Sequence, residues 1–273
     1  MPAPTHLPIR VLVKGASTTV YTSWMNGPRS DFAWPRVIEA RLCAAGWANE
    51  VRTAATPAEL TKAAFPTWPV EVLAWSPDVV ILDYGRMECV HIFIPRWLER
   101  YANSLSIRPH PIRQAYRKRI VKPLWKWLAA VQGAVDKALP TTSTLWRVRR
   151  GERDIAGLIE RIRTVASPLV LIPEIPPFGR VYQKWFPGAN PRVEIMNETL
   201  KALVHRLDDP NVRFVPLAHI WAPVLAEGED PCPDGGHFTP ELHRRFGEGL
   251  AEVVLTWAPE QKHLLLPPDG PTR

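Results

Sequence analysis

Asp234 and His237 stand three residues apart in DPCPDGGHFTPELHRRF (230–246), on a Gly-rich turn just ahead of a helix start. Thr239 suits the N-cap of that helix and Pro240 its first position, which leaves the acid and the imidazole on the turn outside it. Residues three apart on a tight turn can point the same way. A carboxylate so placed can hold an imidazole in one tautomer, the task of the acid in a Ser-His-Asp triad. A plainer role is open to the same residues, with Asp234 capping backbone N–H groups of a polar turn. The pair acquires chemical meaning only if a nucleophile stands elsewhere in the chain, because a Ser hydroxyl needs an adjacent base to react.

The elements that would have to position such groups are legible as apolar runs. IRVLVKG (9–15), ANEVRTAA (48–55), PDVVILDYG (77–85), SPLVLIPEIP (167–176) and NVRFVPLAHI (211–220) read as strands. WPRVIEARLCAAG (34–46), PRVEIMNETLKALVHRL (191–207) and PELHRRFGEGLAEVVLTW (240–257) carry apolar residues at helical spacing, and a further helix is expected from about Pro95 to Ser104. Strands alternate with helices, and the strands are continuous apolar runs. That pattern predicts an α/β chain, a three-layer α/β/α sandwich around a mostly parallel five-stranded sheet, with the site at the carboxyl ends of the strands.

The residues just past those ends are Gly15-Ala16-Ser17, Ala54-Ala55-Thr56 and Gly85-Arg86-Met87-Glu88, with the Asp234–His237 turn after the fifth strand. A Ser after the first strand, followed in chain order by Asp-x-x-His before the last helix, resembles the SGNH (GDSL-like) hydrolase family. The resemblance covers nearly the whole chain except an insertion at about 105–150, and it implies a flavodoxin-like fold. It implies Ser17 as nucleophile, His237 as general base and then acid, and Asp234 as the group that orients it. Ser17 could also be a helix N-cap, since Ser and Thr crowd GASTTVYTSW. The resemblance places the oxyanion donors at the backbone of Ser17, at Ala54 or Ala55 (here Ala55), and at the position of Met87. The chain departs from the family at three points. Ala16 replaces the Asp of Gly-Asp-Ser, an Ala replaces the Gly of the second block, and Met87 replaces an Asn and cannot donate a hydrogen bond. Gly85, Arg86 and Glu88 are candidate substrate contacts, and Arg86 could supply a guanidinium in place of the lost amide.

The net charge of +7 is concentrated in one segment: Arg108 to Arg153 holds twelve Lys/Arg against Asp136 and Glu152. Within it Leu124, Leu128, Val131, Val135 and Leu139 repeat at helical spacing after Pro123, with Trp125 and Trp127 among the lysines. Such a helix could form a lid, rest on an anionic membrane surface or bind an anionic ligand, or it could pack its apolar stripe on the domain and leave a solvated basic face. No nucleic-acid motif accompanies the charge, so nucleic acid is not expected as a partner.

At 273 residues and 46% hydrophobic content the chain is long enough for one large domain, read here as a single SGNH-like domain over 1–273. It has no apolar run long enough to span a membrane and no Gly-rich phosphate loop followed by Lys. The opening MPAPTHLPIRVLVKGAS lacks a charged leader and apolar region, which predicts no signal peptide and a cytoplasmic protein. Cys43, Cys89 and Cys232 are far apart and odd in number, as expected of reduced thiols. His205, His219 and His243 show no metal-ligand spacing, and His91 follows the third strand. The expected function is a serine esterase or deacylase acting on an acyl ester, for example O-acetyl on a carbohydrate or other small alcohol, through an acyl-enzyme and with no metal or organic cofactor. Capture of that intermediate by a sugar hydroxyl would make it an acyltransferase. The alternative from another class is a non-catalytic protein of the same fold that holds an anionic glycan, a membrane or a partner through the basic insertion.

Overall fold

The structure, a computed structural model, describes residues 6–21, 33–90 and 111–265. His91 and the helix expected from Pro95 to Ser104 lie outside those residues. Five strands, β1 (Ile9–Gly15), β2 (Asn49–Ala55), β3 (Val79–Asp83), β4 (Leu169–Pro173) and β5 (Val212–Val215), form one parallel sheet in the order β2-β1-β3-β4-β5. Both faces are covered, as continuous apolar strands require. Ile9, Val11, Val13 and Ile81 face α1 (Trp34–Ala44) and α8 (Pro240–Trp257), burying Trp34, Ile38, Phe246 and Leu250. Leu12, Val80, Leu82 and Ile172 face α4 (Trp146–Val165) and α6 (Ala189–Leu207), burying Leu158, Ile162, Met196 and Leu200. Burial of each such side chain contributes about 1.5–3 kcal/mol.

The chain leaves β1 for β2 on one side and crosses back to β3 on the other. In such a sheet the crevice opens where the order reverses, at the carboxyl ends of β1 and β3. Gly15 and Asp83, the last residues of those two strands, are paired there.

Two expectations need correcting. The fifth strand ends at Val215, and the remainder of NVRFVPLAHI starts a helix, α7 (Ala218–Ala226). Its first turn is fixed by Glu174, whose carboxylate accepts from the N–H groups of Leu217 and Ala218, both at 2.7 Å. The second concerns the insertion, which forms α2 (Pro111–Tyr116), a π-helical turn (Arg117–Val121) and α3 (Lys122–Ala138). The apolar stripe, for which packing on the domain is one of the readings, faces mostly outward, with only Leu128 and Val135 half-buried. Leu124, Val131 and Leu139 are 47%, 36% and 47% exposed, while Ala129, Gln132 and Gly133 are buried. The polar face docks because it has partners. Asp136 forms a bidentate pair with Arg192 of α6 at 2.7 and 3.0 Å, with both side chains buried. Arg192 also donates to the Cys89 carbonyl at 2.7 Å, and Gln132 to that of Val90 at 3.0 Å. Among the described residues no helix is long and apolar enough to cross a membrane.

Candidate active site

The turn after β1 is a single 3-10 turn, Ser17–Thr19, whose N-cap is Ala16 with no side-chain cap. Thr18 and Thr19 are buried, and both hydroxyls donate to the same Asp83 carboxylate oxygen, at 3.1 and 2.8 Å. The close fit requires Gly15: a Cβ there would stand 2.2 Å from the Thr19 hydroxyl oxygen and 3.0 Å from Asp83 Cβ. Burial raises the Asp83 pKa, opposed by the two threonine hydroxyls and by the nearby Arg86 charge. A carboxylate from the neighbouring strand therefore fastens this turn, in a chain where residue 16 is alanine. Thr18 and Thr19 turn inward, and Ser17 stays partly exposed.

Asp234 and His237 are hydrogen-bonded, Nδ1 to Oδ2, at 2.8 Å. The other carboxylate oxygen accepts from the N–H groups of Gly236 at 3.0 Å and His237 at 2.8 Å. Partial burial would raise the Asp234 pKa, but these bonds prevail and hold it at about 2. An ionised carboxylate only accepts, so in the neutral ring Nδ1 carries the proton and Nε2 the lone pair. The turn adopts the capping and the pairing together.

This turn is anchored from below. Gly235, at φ +97°, has no room for a side chain, since a Cβ would fall 2.4 Å from the Tyr182 ring. Its carbonyl accepts from Gly179 at 3.0 Å, just ahead of α5 (Arg180–Trp185). Asp230 accepts from the Arg180 N–H at 2.8 Å. Beneath it lies Arg86, only 5% exposed, donating to the carbonyls of Gly236 at 2.7 Å and Pro177 at 3.0 Å and to Cys232 Sγ at 3.4 Å. Its guanidinium also lies 4.4 Å from the centre of the Phe178 ring.

Tyr21 joins the two turns. Its N–H donates to the Ser17 carbonyl at 2.8 Å, and its ring meets that of His237 edge-on, with centroids 5.6 Å apart. Its own carbonyl accepts from His243 Nε2 at 2.9 Å, while His243 Nδ1 accepts from the Trp34 N–H at 3.2 Å. His243 is thus neutral and fully used. Burial, outweighing the Tyr21 bond, pulls its pKa from 6.5 down to about 4. A histidine depressed on folding contributes stability that is fully present above its unfolded pKa and is lost as pH falls through the folded one. Between pH 6.5 and about 4 the chain should lose roughly 3 kcal/mol on this account. Urea denaturation across that range should show the loss for wild type and a flatter acid limb for His243→Gln; equal limbs would refute the assignment.

The remaining candidates separate. Arg86 is buried, and its Nη1 and Nη2 groups have protein acceptors. Glu88 is buried and accepts from the N–H and hydroxyl of Thr61, both at 2.8 Å, so it braces the loop after β2. Gly85, at φ +101°, packs against Ile175 and Met196, where a Cβ would approach to 2.9 and 3.4 Å. Met87 packs on the core cluster beside them. The Thr56 N–H bonds to the Gly15 carbonyl at 3.2 Å. Alternate N–H groups of a strand point to opposite sides, so the Ala55 N–H faces the outer edge of β2, not β1. The N–H groups of Ser17 and Thr18 have no backbone partner among the described residues.

The parallel five-stranded α/β/α fold is shared with solved esterases and lipases. Solved structures similar to this chain include the carbohydrate acetylesterase Est24 from Sinorhizobium meliloti, at 15% identity and TM-score 0.55, covering 91% of this chain and 99% of that one. The lipase/acylhydrolase from Enterococcus faecalis is similar at 13% identity and TM-score 0.59, covering 91% and 96%. A catalytic mutant of Axe2, an acetylxylan esterase from Geobacillus stearothermophilus, is similar at 11% identity and TM-score 0.56, covering 90% and 94%. No protein-family model and no curated protein matches the chain.

Proposed function

We propose that this chain is a serine esterase that cleaves a small acyl ester through an acyl-enzyme. The observation that carries the proposal is the Asp234–His237 bond, with Nε2 left basic, on a turn joined through Tyr21 to that of Ser17. Ser17 Oγ attacks the ester carbonyl and its proton passes to His237 Nε2. The tetrahedral oxyanion is met by the Ser17 N–H. His237 returns the proton to the departing alkoxide, and water, deprotonated by the same nitrogen, releases the acid. Acetyl on a sugar is the favoured substrate, on the strength of similar structures named as carbohydrate and xylan acetylesterases. A sugar hydroxyl in place of water would make the same intermediate a donor for acyl transfer.

The oxyanion hole is the weak part of this machinery. With Met87 on the core and the Ala55 N–H turned outward, two of the three expected donors are missing. Each costs about 3–4 kcal/mol of transition-state stabilisation. That loss favours a second reading, in which the fold is retained for binding alone. Fluorophosphonate labelling separates the two. One adduct on Ser17, absent from His237→Ala, together with measurable hydrolysis of p-nitrophenyl acetate, supports the esterase. Absence of label under conditions that label a control esterase would favour the binding reading.

A further inference from the structure

The exposed face of the insertion is a continuous apolar ridge. Ile112, Tyr116, Ile120, Leu124, Trp127 and Val131 are 73%, 39%, 53%, 47%, 61% and 36% exposed. Steps of four residues drift by about 40° each in an α-helix. The π-helical turn Arg117–Val121 takes up that excess, so residues on either side of it stay on one line about 30 Å long. Between the ridge positions stand Arg113, Arg117, Lys118, Arg119, Lys122 and Lys126, and residues 111–135 contain no acid. The polar side of α3 is the side that docks on the domain, through Gln132 and Asp136.

We propose that this ridge docks on the surface of an anionic lipid bilayer. The chemistry matches on both counts. Aliphatic side chains and the rings of Tyr116 and Trp127 enter the boundary between headgroups and acyl chains, while the flanking lysines and arginines reach anionic headgroups. A second copy of the chain is a poor occupant, because two-fold pairing would set the same six cations against each other. A nucleic-acid duplex would take the charge and leave the ridge in water. The docking does not depend on the esterase reading.

The test is cosedimentation of the full chain with phosphatidylcholine vesicles, with and without phosphatidylglycerol, alongside tryptophan fluorescence. Binding is expected only with phosphatidylglycerol, with a blue shift, and reversed by salt. Lys118→Gln/Arg119→Gln/Lys122→Gln should lower the partition coefficient by roughly 100-fold. Leu124→Ser/Trp127→Ser should lower it by at least about tenfold. All five side chains are exposed, so thermal midpoints should hold. The proposal is overturned if the chain ignores anionic vesicles, or if the ridge variant binds them as wild type does. It is equally overturned by a dimer that the ridge variant abolishes, or by binding to duplex DNA without binding to vesicles.

Discussion

Ser17→Ala should lower ester turnover by about 10³- to 10⁴-fold and erase the phosphonate adduct while leaving the fold intact. The magnitude follows from what remains in the site. Complete triad enzymes lose about 10⁶-fold when the nucleophile is removed. On the proposed mechanism the starting rate is itself expected to be low, because Met87 and the outward Ala55 N–H offer no oxyanion donor, so the expected drop is smaller. Stability should change by less than about 0.5 kcal/mol, since Ser17 is partly exposed and the turn is fastened by Thr18, Thr19 and Asp83 instead. Asp234→Asn should cost nearly as much in turnover. An amide that accepts from the Gly236 and His237 N–H groups presents its NH₂ to Nδ1, which stabilises the wrong tautomer. Because Asp234 is ionised above about pH 2, it should add no limb to the neutral pH–rate profile. Retention of wild-type turnover by Ser17→Ala would sink the mechanism.

The sheet was legible because its physics is local. A strand buried on both faces must be apolar at nearly every position, and β3 and β4 are, while β1 is apolar between Arg10 and Lys14. The start of α8 was legible for the same kind of reason: Thr239 accepts from the Leu242 N–H at 3.1 Å, and Pro240 follows it. What escaped the sequence depends on distant partners. Asp83 reads as the polar end of a strand. Only the register that sets it beside Gly15 brings it to Thr18 and Thr19, although a Gly at the strand end with two threonines just after it was a usable hint. The insertion shows the limit of periodicity. An apolar stripe identifies a face, but which face docks was decided by Asp136 meeting Arg192, 56 residues away.

Arg86 is the residue whose importance the sequence concealed most, and its removal should have the largest effect on stability. Its guanidinium reaches carbonyls 91 and 150 residues away in the chain, at Pro177 and Gly236. Arg86→Ala removes the donor from two part-buried carbonyls, at about 1 kcal/mol each, and the stacking on Phe178. We expect a loss of about 3 kcal/mol in urea unfolding. The turn that carries Asp234 and His237 also loses its floor. A group that positions without touching substrate should lower kcat by about 100-fold and leave KM nearly unchanged. Arg86→Lys should recover little, because a single ammonium cannot span two carbonyls as a planar fork does. A stable, fully active Arg86→Ala would show instead that the turn holds itself, through Gly235 against Tyr182 and Asp230 against Arg180.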